Sequence, residues 1–163
     1  MKRILLILLI LAGIIAGCKK FEDGPCFSLR SVKNRITGTW KVDKFYIDGA
    51  DSTDEFNSKL GCEIEFSRDA YQTTNYIRTI YLKNCNNGKT LKGLWSFFNK
   101  ENELHIYFTE TLDFTNAIGP LGSDKDAFWT ILRLTNKEFN LTIANWPDFI
   151  HGFKKTYIIK LKK

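Results

Sequence analysis

The chain has 163 residues, 44% of them hydrophobic and 14% aromatic, with a formal net charge of +6. That apolar content excludes a disordered chain, and the length suits a single domain. The basic residues are scattered, with no basic helix or aromatic stacking motif among them, so no nucleic-acid partner is expected. At the front, Lys2 and Arg3 precede an unbroken apolar or small run from Ile4 to Gly17, and Cys18 then opens a polar sequence. The run is shorter than the roughly 20 apolar residues of a spanning helix and has no polar face. Residues 1–17 therefore read as a signal peptide.

Ile15-Ala16-Gly17-Cys18 resembles the lipobox of bacterial lipoproteins. The resemblance implies that Cys18 is lipidated on sulfur, becomes the mature N-terminus and holds the protein to a membrane outside the cytoplasm. One acyl chain binds only marginally, and the two or three implied here anchor durably. Lys19-Lys20-Phe21-Glu22-Asp23-Gly24-Pro25 is a polar tether closed by a Gly-Pro break. It resembles the short signal, lysine beside acidic residues, that sends Bacteroidetes lipoproteins to the outer face of the outer membrane. Residues 18–34 are thus expected to form the lipidated tether and a short helix, with the outer membrane as the address.

With Cys18 lipidated, Cys26, Cys62 and Cys85 remain, an odd number for an oxidising compartment. Cys62 begins one strand candidate and Cys85 closes the next, so antiparallel pairing brings both to one end of the sheet. Cys62–Cys85 is the expected disulfide, with Cys26 in place of either partner as the alternative. Paired Cys-x-x-Cys or His-x-His spacing is missing, and His105 and His151 stand alone, so no metal is expected.

Helical periodicity is confined to a turn or two within Phe27–Arg35. Strands are expected at Thr37–Ile47, Cys62–Phe66, Ala70–Asn84, Thr90–Phe98, Glu103–Thr109, Ala127–Leu134, Phe139–Ala144 and Lys154–Lys162. Asn86-Asn87-Gly88, Asn99-Lys100-Glu101-Asn102 and Thr135-Asn136-Lys137 are hairpin breaks between them. In Cys62–Phe66 and Leu104–Phe108 the apolar residues fall on even positions. Tight turns favour an antiparallel meander, and closing it removes its edges. The expected fold is all-β, one eight-stranded antiparallel barrel over residues 35–163; an open sandwich satisfies the same strand count.

Gly38-Thr39-Trp40-Lys41-Val42 resembles the Gly-x-Trp signature of lipocalins. Phe66–Tyr71, Gly93–Phe97 and Ile131–Leu141 resemble successive hairpins of the lipocalin-like lipoproteins of Bacteroidetes. The resemblance implies a calycin-type barrel in which Gly38 and Trp40 close one end, with a late basic residue, Lys154 or its neighbour Lys155, covering the tryptophan. No helical pattern follows Lys154–Lys162, which implies a simplified form of the family's barrel.

Such a barrel would bind ligands through inward-facing side chains. Tyr46, Trp95, Phe97, Tyr107 and Trp129 are the large aromatics expected on or near that interior, for a small apolar or amphipathic ligand. An eight-stranded barrel is also narrow enough for the same residues to pack it solid. Asp48–Leu60 and Glu110–Asp126 read as long loops, the second with an apolar tip at Ile118-Gly119-Pro120-Leu121-Gly122 that suits a lid or a docking surface. Asp48, Asp51, Asp54 and Glu55 lack the spacing of a calcium loop. No Gly-x-Ser-x-Gly elbow is present, His105 reads as a wall residue, and Glu63 and Glu65 share a water-facing side. Neither an enzyme nor a cofactor is expected; the alternative to a ligand carrier is an interaction or inhibitor module with a packed barrel contacting a protein or glycan.

Overall fold

Period-two alternation of large apolar residues organises the chain into strands that share one buried side. The computed structural model describes residues 30–71, 76–86, 88–109, 118–123, 125–147 and 152–163. The signal segment, Cys18, the tether, Cys26 and His151 lie outside the described residues. Helix α1 (Val32–Ile36) is started by Ser31, whose hydroxyl accepts from the Asn34 amide, and it buries Val32 and Ile36. The strands are β1 (Gly38–Ile47), β2 (Ala50–Asp51), β3 (Glu63–Ala70), β4 (Arg78–Lys83), β5 (Leu91–Phe98), β6 (Glu103–Phe108), β7 (Ala127–Leu134), β8 (Glu138–Pro147) and β9 (Lys154–Lys162). The short β2 only extends the sheet beside β1. The other eight run antiparallel in the order β1-β3-β4-β5-β6-β7-β8-β9, and pairing of β1 with β9 closes them into a barrel.

Irregularities let the strands curl, and they also reverse the alternation. Register shifts occur between Val42 and Lys44 in β1, Ile131 and Arg133 in β7, and Ile143 and Trp146 in β8. An extra residue at such a bulge moves every later side chain to the other face. Trp40 therefore faces inward at an even position, while beyond the bulge it is Phe45 that is buried. Ile131 and Leu134 on β7, and Ile143 and Trp146 on β8, are buried with the same change of phase.

Three expectations about elements are corrected. The segment read as one loop over Asp48–Leu60 contains β2 and helix α2 (Thr53–Lys59). Asp54 and Glu55 sit in its positive first turn, Lys59 lies in its last and pairs with Glu55 at 2.7 Å, and Phe56 is buried beneath it. The strand expected from Cys62 to Phe66 continues to Ala70. The strand expected to begin at Ala70 begins at Arg78.

Candidate functional site

The barrel has one end closed by α1 and the start of β1, and a mouth from which the α2 segment, the Cys85 turn and the Ile118–Gly122 loop emerge. At the closed end Trp40 is 0% exposed, its indole Nε1 donates to the Ile36 carbonyl at 2.6 Å, and its ring meets Phe139 at 5.5 Å. Phe139 contacts Phe66, Phe66 contacts Trp95, and Trp95 contacts Phe97, each with centroids less than 6 Å apart. Edge-to-face and tilted pairs of this kind add to the burial energy of each ring.

The cation over Trp40 is Lys163. Its Nζ lies 4.5 Å from the ring centroid and donates to the carbonyls of Arg35 at 3.2 Å and Thr37 at 2.9 Å. Burial, and then the positive charges of Arg30 and Arg68, push this ammonium below its usual pKa. Gly38 has φ +118°, and a Cβ there would crowd the Lys163 ammonium at 3.3 Å. The expectation that Lys154 covers Trp40 is thus corrected: antiparallel β9 starts at the mouth, so Lys154 lies at the opposite end, paired with Pro147. Arg35 is buried beside this seal and donates through Nη1 to the Leu134 carbonyl at 2.7 Å. Burial lowers its pKa, and Glu101 opposes that shift.

At the mouth the expected disulfide is formed: Cys62 and Cys85 are bonded, with Cα atoms 4.2 Å apart. Asn86 donates to the carbonyls of Asn57 and Ser58, tying the C-terminal end of α2 to the same turn. At the other end of α2, Ser52 N donates to Phe45 O at 2.8 Å and Thr53 Oγ1 accepts from Phe45 N at 3.0 Å. Asp51 binds Lys44 at 2.7 Å and also accepts from Thr53; those hydrogen bonds hold its carboxyl well below the usual carboxylate range. Phe56 on α2 packs on Phe45, and Phe45 packs on Tyr157.

The apolar loop tip closes over the same corner. Ile118 and Leu121 are buried and bridged to each other. Gly119 has φ +57°, and a Cβ there would sit 2.5 Å from the Tyr157 ring, so the tip rests on that ring where only glycine fits. Tyr157, Phe45, Phe56 and the loop tip thus form an apolar closure beneath two independent segments.

The sequence-derived ligand residues divide between the two faces. Trp95 and Trp129 are buried inside, and Phe97 is half-buried and packs against that core. Tyr46 is beyond the β1 bulge and faces outward, with Lys160 Nζ 5.2 Å from its ring centroid. Tyr107 alternates with buried Ile106 and Phe108 and is also on the outer wall. These two placements correct the expectation of an interior position. Trp95 Nε1 donates to Thr79 O at 3.1 Å. Trp129 is 0% exposed, yet its Nε1 has no hydrogen-bond partner among the described residues. A buried indole N–H ordinarily finds an acceptor, and lacking one costs roughly 1–3 kcal/mol.

On the outer wall, His105 Nε2 lies 2.6 Å from Asp126 Oδ1, and its ring stacks on Phe128 at 4.6 Å. Phe98 meets Phe128 edge-on at 5.4 Å. Glu63 pairs with Lys41 at 3.4 Å, and Glu65 pairs with Lys83. Among the described residues no group of three His, Cys, Asp or Glu side chains is placed to hold a metal ion, and no helix is long and apolar enough to cross a membrane.

An eight-stranded meander, closed on itself and sealed at one end by a short helix and a buried tryptophan under a lysine, decides the architecture. The fold is a lipocalin-like barrel. No protein-family model matches the chain, and no curated protein does. Similar solved structures include a lipocalin-like protein from Bacteroides uniformis, with a TM-score of 0.45 and 12% identity over 79% of this chain and 98% of that one. Another is an uncharacterized protein from Bacteroides eggerthii, with a TM-score of 0.41 and 14% identity over 78% of this chain and 99% of that one. The lipocalin-like assignment rests on the order and closure of the strands themselves.

Proposed function

We propose that this protein is a lipid-anchored lipoprotein of the outer membrane whose barrel takes up a small apolar or amphipathic ligand, without catalysing a reaction on it. The observation that carries the reading is the Trp129 N–H, a donor sealed inside an apolar barrel with no acceptor among the described residues, which an acceptor atom on a ligand would satisfy. The inward-folded tip at Ile118–Leu121 supports it, because a closure made of a loop and a short helix opens at lower cost than a wall of paired strands.

The test is mass spectrometry of organic extracts from purified protein, with titration of the apolar fluorophore N-phenyl-1-naphthylamine into native protein and a loosened Leu121→Asp variant. A bound small molecule or saturable dye uptake is expected, weakened in Trp129→Phe for ligands that carry an acceptor. Blank extracts together with dye exclusion from both proteins would overturn the proposal.

A second reading, an interaction module with a packed barrel contacting a protein or glycan, is favoured by the outer aromatic cluster. Phe98 is 57% exposed and Phe128 45% exposed, which leaves an apolar edge in water. It predicts that Phe98→Ser with Phe128→Ser abolishes partner capture while dye uptake is unchanged; capture that survives both substitutions removes it.

A further inference from the structure

Positive charge is in excess at the closed end of the barrel. Around the closed end the exposed cations include Arg30, Arg68, Lys100, Lys137 and Lys163, drawn from the α1 entry, the end of β3, the β5–β6 hairpin, the β7–β8 turn and the end of β9. Arg68 reaches Thr37 Oγ1 at 3.2 Å, on the same residue whose carbonyl receives Lys163, so two cations meet at one threonine. The side-chain carboxylates at this end, among the described residues, include Asp69, Glu101, Glu103 and Glu138. Asp69 accepts from Ser67, and Glu138 is engaged by Arg133 at 2.5 Å. The lowered pKa of Lys163, caused in part by Arg30 and Arg68, is a second sign of excess positive potential there. The mouth is more evenly balanced: Asp48, Asp51, Asp54, Glu55 and Asp126 stand among Lys44, Lys59, Lys89, Lys125 and Lys154, with Asp51 paired to Lys44 and Glu55 to Lys59.

The described chain enters the barrel at this basic end, at Arg30, only twelve positions after Cys18. At roughly 3.5 Å per residue such a segment reaches about 40 Å at most, more than the roughly 33 Å spanned by a 10-residue strand such as β1, so its reach alone leaves either end free to face the membrane. Charge then selects the orientation, because basic side chains within a Debye length, about 8–10 Å, of an anionic surface are attracted to it.

We propose that the closed end is a membrane-facing surface for anionic lipid headgroups, which holds the barrel upright on its anchor with the α2 and Ile118–Gly122 closure turned away from the bilayer. This rests on the lipid-anchor reading of Cys18. The surface works through several exposed cations with no single binding pocket, so it is sensitive to salt and to lipid charge and insensitive to headgroup shape.

The test uses the lipidated protein, verified by mass of its N-terminal peptide, in phosphatidylcholine vesicles with or without 30% phosphatidylglycerol. A genetically encoded fluorophore is placed at Asn136 on the closed end or at Lys154 at the mouth, and energy transfer to a headgroup-labelled lipid is read. In anionic vesicles, transfer from Asn136 is expected to exceed that from Lys154 at least two-fold. The difference is expected to collapse in neutral vesicles, in 0.5 M salt, and in an Arg68→Gln, Lys100→Gln, Lys137→Gln variant whose thermal unfolding checks that it is folded. Equal transfer from both labels on lipidated protein overturns the orientation and leaves the anchor standing. A difference that persists in neutral vesicles overturns the electrostatic cause, and an N-terminal peptide without lipid overturns the anchor reading and the orientation with it.

Discussion

Replacing Lys163 by methionine isolates the charge that seals the closed end. Methionine keeps an unbranched stem beside the Trp40 ring and removes the ammonium. Lost with it are the hydrogen bonds to Arg35 O at 3.2 Å and Thr37 O at 2.9 Å and the cation at 4.5 Å from the ring centroid. A hydrogen bond from a charged donor contributes about 1.5–3 kcal/mol when buried, and an exposed cation–π contact contributes about 0.5–1 kcal/mol. Lys163 is exposed over much of its surface, and after Lys163→Met both carbonyls are reachable by water, so the sum is reduced by screening to about 1.5 kcal/mol. Urea unfolding of Lys163→Met beside Lys154→Met measures it. Lys163→Met is expected to lower the unfolding free energy by that amount, through a lower midpoint at unchanged slope, and Lys154→Met by less than about 0.5 kcal/mol, as for a surface site. A larger loss from Lys154→Met, or none from Lys163→Met, would refute the assignment of the sealing cation.

Replacing Cys62 and Cys85 together by serine opens a 23-residue separation. Chain entropy puts the loss at about 3 kcal/mol in urea unfolding, and amide exchange is expected to rise first toward the C-terminal end of Thr53–Lys59, where the Asn86 contacts tie the helix to the Cys85 turn. Asp51 has a folded pKa depressed by Lys44 and Thr53, so its contribution is complete above the unfolded value near 4 and is lost as pH falls through the folded value. Asp51→Asn should therefore lower the unfolding temperature at pH 7, and the gap to the native chain should narrow below about pH 4; a gap constant down to pH 2 would reject this linkage.

Strand identity was legible wherever alternation ran unbroken. Ala127–Leu134 and Lys154–Lys162 were readable to the residue, because apolar residues and flanking turn chemistry both mark their limits. Helix α2 also left a signal: Ser52-Thr53-Asp54-Glu55 followed by Phe56 and Leu60 combines an acidic first turn with apolar residues four apart. Its acidic composition made it look like a solvated loop. Tyr46 was misplaced for a different reason. Counting by twos from Trp40 carries it inward, and only the bulge between Val42 and Lys44 reverses that. Tyr107 was legible and overlooked, since the same alternation that buries Ile106 and Phe108 turns it outward.

The sequence by itself determined the meander of strands and favoured Cys62–Cys85 over a pairing with Cys26, because periodicity, turn residues and strand ends are local properties; the sealing role of Trp40 came from the resemblance to the Gly-x-Trp signature. Tertiary structure alone decided which lysine covers Trp40, which aromatics share the interior and that the apolar tip at Gly119 rests on Tyr157. Those facts depend on closure of β1 against β9 and on bulges that reset the phase of each strand, and both arise only when distant segments pair.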